Sequence, residues 1–445
     1  RQKGKKQLSE ATNGVDLNQR EKTLLSQRFN DEKITYNEIA QNYNLSVSSI
    51  KLTIIGAIKK IQVANNALPD KDKNKINELV SRFKDEGLTV KDYLQACLKQ
   101  ARLFYRSPDA IEKNVRDLVE KFKDEGLTVE DYLQACLKQA QLFAQSPDTI
   151  EKNVRGLVKK FENEGLTVED YLHKACLKQP SLFYQSPDTI ESNVRGLVEK
   201  FKDEGLTVKD YLHKACLKQA QLFYLSPDTI ERNVRNLVKK FENEGLTVED
   251  YLHKACLKQA QLFYLSPDTI ESNVRDLAKK FENEGLTVED YLHKACLKQA
   301  QLFTQSPDTI EKNVRDLVKK FENEGLTVKD YMHKACLKQP PLFYQSPDTI
   351  EKNVRGLVEK FKDEGLTVKD YIQACLKQPS LFYQSPKTIA NHRKAMLFIN
   401  KNNNKNLNQD EIWEMLLAKP LFMCCTNKTN YSYLLRKQMF PHKNP

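Results

Sequence analysis

One block of 40 residues recurs almost verbatim through most of this chain. It runs from Ser186-Pro187-Asp188-Thr189-Ile190 to Tyr224-Leu225. It returns at Ser226, Ser266, Ser306 and Ser346, and variants start at Ser107, Ser146 and Ser385. A unit this small cannot bury its apolar face alone, so near-identity at a fixed period predicts a stack of units sharing one core. The copies also act as controls on one another. Packing dictates the positions where they agree; positions where they disagree answer to something else.

A single copy reads as two helices and a turn. Ser107 suits an N-cap, Pro108 the first helical turn and Asp109 the positive helix end. Ile111, Val115, Leu118, Val119 and Phe122 recur at helical spacing. Gly126 provides the left-handed stop. Thr128 caps a second helix, with Asp131 completing a capping box. Val129, Tyr132, Leu133, Cys136 and Leu137 form its buried face. A Leu142-Phe143 turn leads to the next Ser-Pro. Five copies read Tyr-Leu-His-Lys-Ala-Cys (one with Met332), where shorter copies read Tyr-Leu-Gln-Ala-Cys or Tyr-Ile-Gln-Ala-Cys. One extra residue turns the rest of a helix by about 100°. That predicts a bulge or a shifted helix start.

The predicted fold class is all-α: an α-solenoid superhelix of ~40-residue helical repeats behind an N-terminal helix-turn-helix domain. The expected divisions are a basic leader (1–16), the helix-turn-helix (17–66), an N-terminal capping repeat (67–100), the tandem repeats (101–388) and divergent C-terminal capping repeats (389–445). The last include the region around Pro420-Leu421-Phe422. The chain begins at Arg1, which leaves room for residues upstream.

Ten cysteines suggest disulfides or metal until their positions are read. Eight (Cys97, Cys136, Cys176, Cys216, Cys256, Cys296, Cys336, Cys375) are one repeat position, between Ala and Leu, suited to a small buried hydrophobe in a reducing compartment. Cys424 and Cys425 stand apart. His173, His213, His253, His293 and His333 are likewise one position, without a second ligand type at metal spacing. No metal or other cofactor is expected. No catalytic constellation appears, and the chain is read as a non-enzyme. No apolar run is long enough to span a membrane. The net charge of +11 suits a polyanionic partner.

The text Gln179-Pro180-Ser181-Leu182-Phe183-Tyr184-Gln185-Ser186-Pro187, followed by Ile190, Asn193-Val194, Leu197 and Gly205-Leu206, resembles the mitochondrial transcription termination factor repeat. The resemblance covers roughly residues 68 to 425. It implies an α-solenoid that binds nucleic acid along a basic groove. Residues 17 to 61 resemble the C-terminal helix-turn-helix of bacterial sigma factors. The resemblance rests on Glu38-Ile39-Ala40, the Asn44-Leu45-Ser46 turn and a second helix ending Ala57-Ile58-Lys59-Lys60-Ile61. The groove-facing positions it implies are Ser48, Ser49, Lys51 and Leu52. Arg1, Lys3, Lys5 and Lys6 suit phosphate contact.

The first helix holds the positions that disagree. One reads Lys113, Lys152, Ser192, Arg232, Ser272, Lys312, Lys352. Four residues on, a second reads Asp117, Gly156, Gly196, Asn236, Asp276, Asp316, Gly356. This offset puts the pair side by side, opposite the apolar stripe. Between them lies an unvarying arginine: Arg116, Arg155, Arg195, Arg235, Arg275, Arg315, Arg355. Gly inside a helix costs about 1 kcal/mol against Ala, yet three copies carry it where sisters carry Asp or Asn. Those residues differ in what they offer a base edge. The choice does not follow the Glu120/Lys123-Asp124 and Lys159/Glu162-Asn163 blocks, which travel together. By analogy with transcription-activator-like effectors, the paired residues read bases, about one per repeat, and the arginine contacts phosphate. An aromatic at the Tyr105, Ala144, Tyr184, Thr304 position fits inter-repeat packing better than base stacking.

The sequence therefore predicts a modular, sequence-specific double-stranded DNA-binding monomer that regulates transcription. An RNA-binding repeat protein and a protein-binding scaffold or effector are the alternatives. The expected setting is the bacterial cytoplasm or nucleoid, or a host-cell nucleus for a secreted effector.

Overall fold

A computed structural model describes residues 11–29, 34–402, 413 and 416–418. Every regular element among them is helical. The basic leader residues Arg1, Lys3, Lys5 and Lys6 lie outside the described residues, as do Cys424, Cys425 and the Pro420-Leu421-Phe422 unit. The chain divides into two compact units, Arg1–Glu199 with Thr207–Ser226, and Lys200–Leu206 with Pro227–Pro445.

The first unit opens with three helices, α1 (Gln19–Phe29), α2 (Tyr36–Asn42) and α3 (Val47–Ala64). Their core is Leu17, Leu24, Leu25, Ile39, Ala40, Ile50, Ile54 and Ala57. Thr35 and Glu38 form a reciprocal capping box at the start of α2. The turn into α3 passes through Asn44 at φ 50°, a left-handed conformation that Asn tolerates better than most residues. Ser46 then caps α3 by accepting the Ser49 amide.

Each repeat follows its own chemistry. In the copy starting at Ser107, the first helix is Pro108–Lys121 and the second Val129–Lys138, with Gly126 at φ 78° between them. The Ser107 hydroxyl accepts the Ala110 amide. Ser146, Ser266, Ser306 and Ser346 keep the extended cap backbone without that bond. Thr128 accepts the Asp131 amide at 3.1 Å and donates its hydroxyl to the Asp131 carboxylate at 2.6 Å. Ile111, Val115, Leu118, Phe122, Tyr132, Leu133 and Cys136 are buried. Neighbouring repeats interlock through edge-to-face rings: Tyr132 meets Phe183 at 5.6 Å, and Tyr291 meets Phe343 at 5.4 Å. Such pairs add about 0.5–1.5 kcal/mol beyond their buried area.

The extra residue of the longer copies is absorbed as a π-turn. Tyr171–Cys176, Tyr211–Cys216, Tyr251–Cys256, Tyr291–Cys296 and Tyr331–Cys336 are all π-helical. The Leu177 amide donates across the wider turn to the Leu172 carbonyl at 2.9 Å. The insertion is thus taken up locally, without rotating the second helix off its buried face.

Candidate nucleic-acid interface

Ser48 and Lys51 stand exposed on the first turns of α3, and Ser49 and Leu52 are half-buried beside them. Two residues not singled out in the sequence join this surface. The Tyr36 ring has the Arg28 guanidinium 4.8 Å from its centre and the Lys51 ammonium at 5.6 Å. The ring draws both cations to one place.

The other half of α3 is docked on the repeats. Lys59 pairs with Asp72 at 2.6 Å and lies 5.5 Å from the Phe104 ring centre. A Cβ placed on Gly56 would touch the Ala101 Cβ at 3.4 Å. The helix that presents Ser48 and Lys51 therefore also serves as the lid of the first repeat.

On the repeats, Lys113, Lys152, Ser192, Arg232, Ser272, Lys312 and Lys352 are all exposed. Asp117, Asn236, Asp276, Asp316 and Gly356 are exposed too, and Gly156 and Gly196 are half-buried. The pairs line open grooves shared with the start of the next first helix. One groove gathers Lys312, Asp316, Lys319, Pro347 and Asp348, and another Ser272, Asp276, Lys279, Pro307 and Asp308. In the second, the Ser272 hydroxyl and the Asp276 carboxylate are hydrogen-bonded at 2.6 Å. A Cβ on Gly156 would lie 3.3 Å from Pro187, so glycine widens its groove where the next helix comes close.

Phosphate contact is the sequence expectation for the constant arginines; in the structure each of them is tied into the joint between repeats. Arg155 donates from Nε to Glu151 at 3.1 Å, from one terminal nitrogen to Glu125 at 2.8 Å and from the other to the Lys121 carbonyl at 2.8 Å. Its guanidinium lies 5.0 Å from the Phe122 ring centre. Arg195, Arg235, Arg275, Arg315 and Arg355 repeat this arrangement. Arg116 makes a looser version, with Glu112, Glu86 and the Arg82 carbonyl. Every guanidinium nitrogen has a partner, and two carboxylates flank each one, an unfavourable place for a phosphate.

A constant lysine is spent the same way. Lys160 pairs with Asp188 at 2.8 Å and Glu191 at 2.7 Å in the next repeat. Hydrogen bonds from Lys160, then Arg195, hold the Glu191 carboxyl below its ordinary range. His173 also bridges repeats, with Nε2 2.9 Å from the Glu125 carbonyl, which requires a proton on that nitrogen. The Tyr184 and Tyr344 hydroxyls accept from Gln139 and Gln299 of the preceding repeats. The eight repeat cysteines are buried thiols, and burial pushes Cys97 up to about 12. No cluster of metal-ligating groups occurs among the described residues. No helix among them is long and apolar enough to cross a membrane.

This pairing has an electrostatic counterpart. Residues 67–388 carry 51 Lys and Arg against 51 Asp and Glu. The whole excess of +11 lies in the flanks, +5 in residues 1–66 and +6 in residues 389–445. The basic character belongs to the helix-turn-helix end and the C-terminal end, not to the repeats. Residues 15–62 match the family described as Sigma-70, region 4. That match supports DNA binding by the first three helices and leaves the repeats unassigned. No curated protein matches the chain.

Proposed function

We propose that the protein binds duplex DNA, anchored by α2 and α3, and that the repeats add a second, sequence-selective surface. The anchor rests on the Sigma-70, region 4 match, the exposed Ser48 and Lys51 and the surplus positive charge of residues 1–66. The repeat surface rests on one observation. The paired variable residues Ser272 with Asp276 and Lys312 with Asp316 line equivalent grooves, as Asp117 does in its own copy, while the constant charges around them are paired between repeats. Within a pair, Asp accepts from cytosine N4, Gly leaves room for the thymine methyl, and Asn pairs with adenine, or with guanine helped by Arg232. Selection of bound sequences from random duplex DNA tests this reading. The expected result is a helix-turn-helix site joined to a longer preference, read about one base per repeat. Enrichment of the short site alone would remove the repeats from the reading.

A second reading has its own support. A repeat region without net charge suits a folded protein partner better than a polyanion. On that reading the helix-turn-helix brings a protein-binding scaffold to DNA, and the selection yields the short site only.

A further inference from the structure

Beside the two variable positions lies a third, three residues further along the first helix. It reads Glu120, Lys159, Glu199, Lys239, Lys279, Lys319, Glu359. Offsets of four and three residues keep all three on one helical face. The grooves bear this out: Glu120 shares one with Asp117 and Pro147, Lys279 one with Asp276 and Pro307, and Lys319 one with Asp316 and Pro347.

The constant cations beside it are already committed. Arg275 is held by Glu271 and Glu244, and Lys280 by Asp308 and Glu311. Lys279 is exposed between them and forms no ion pair among the described residues, and the same holds for Lys159, Lys239 and Lys319. In the groove at Lys319 the other charges, Lys312 and Lys320 against Asp316 and Asp348, cancel, so the third position sets its sign; in the groove at Lys279 that lysine joins Lys280 in balancing Asp276 and Asp308.

We infer that this third position is the backbone contact of the repeats: Lys159, Lys239, Lys279 and Lys319 grip DNA phosphates, and the copies with Glu120, Glu199 and Glu359 do not. The inference rests on the DNA reading of the repeats and changes its electrostatics. Seven arginines on phosphates would contribute a slope of roughly −6 to log K against log salt; four lysines contribute about −3.6. Phosphate contact is then confined to the copies with Lys159, Lys239, Lys279 and Lys319, the last three consecutive, rather than recurring in every copy.

The test uses the full chain and a duplex carrying its selected site, with affinity measured across a salt series. Glu120→Lys and Glu359→Lys should each steepen the slope by about 0.9, and Lys279→Glu and Lys319→Glu should each flatten it by at least as much. The preferred sequence should not change. Sister copies carry both residue types here, so the fold accepts either. An Asp276→Gly variant runs alongside. Unchanged slopes, together with an altered base preference for Asp276→Gly, would overturn the phosphate assignment and leave the DNA reading standing. If Asp276→Gly also changes nothing, the repeats do not touch DNA and both fail.

Discussion

Lys59 of α3 and Asp72 of the first repeat form an ion pair at 2.6 Å, with their side chains only 12% and 13% exposed. This pair makes the helix-turn-helix and the start of the repeats one body. Breaking it should be costly because it strands a shielded charge. Asp72→Asn should lower stability by about 2–3 kcal/mol, and the double variant Lys59→Met, Asp72→Leu should recover most of that. Urea unfolding of the full chain, followed by helical signal, measures both. Equal losses in the single and double variants would show that the pair is not coupled.

The constant arginine should behave as a structural residue. Arg275→Lys keeps the charge but loses the fork, and should cost about 1–3 kcal/mol in unfolding free energy. The salt dependence of DNA binding should stay as it was. A stable variant with a flatter salt slope would return this arginine to the phosphate role.

Stability should fall in acid. Glu191, Glu231, Glu271 and Glu311 are held below their ordinary value of 4.5, chiefly by hydrogen bonds from Lys160, Lys200, Lys240 and Lys280. Carboxyls depressed in the folded state contribute stability above about 4.5, and the contribution is lost as pH falls through their lowered values. Thermal unfolding between pH 6 and pH 3 should show this loss, and Glu231→Gln should make it shallower. A melting temperature flat across that range would contradict the pairing.

Base reading should be local. Asp276→Gly should move preference at one base only, by roughly 1–3 kcal/mol. It also frees the Ser272 hydroxyl, which now bonds that carboxylate. Gly156→Asp should shift its own base towards cytosine. The Pro187 ring must yield a few tenths of an ångström to admit the new Cβ; in the copy that already carries Asp117, Pro147 lines the same groove. Selections with both variants check the pair. Identical enriched sequences would place specificity in α3 alone.

A tempting control, deletion of residues 1–66, would mislead. It strips Gly56 and Lys59 from Ala101 and Phe104 and exposes the first repeat's core. Lys51→Ala with Ser48→Ala is the cleaner test. It should weaken specific binding, because Lys51 and Ser48 are exposed and do not support the core.

The helices, the glycine stops and the buried cysteines were legible in the sequence because each is a local decision between chain neighbours. The partners of Arg155 were not. An invariant arginine on an exposed helix looks the same whether it meets a phosphate or Glu125 of the previous copy, 30 residues away. The π-turn was half legible: the extra residue announced a defect, but only its hydrogen bonds distinguish a widened turn from a shifted start. The neutrality of the repeats could be counted from the sequence, yet a total of +11 conceals where the charge resides. The Lys59–Asp72 pair left no local signal, since neither residue has an unusual neighbour in the chain.

The joints between copies have a consequence for inheritance. Arg155 grips the Lys121 carbonyl and Arg275 the Lys240 carbonyl by the same bonds, so each copy offers its successor much the same socket that it fills in its predecessor. Recombination between copies of the coding sequence can therefore add, drop or reorder whole units without making a misfit seam. Selection can then act on the order of the exposed residues while the fold that carries them stays constant.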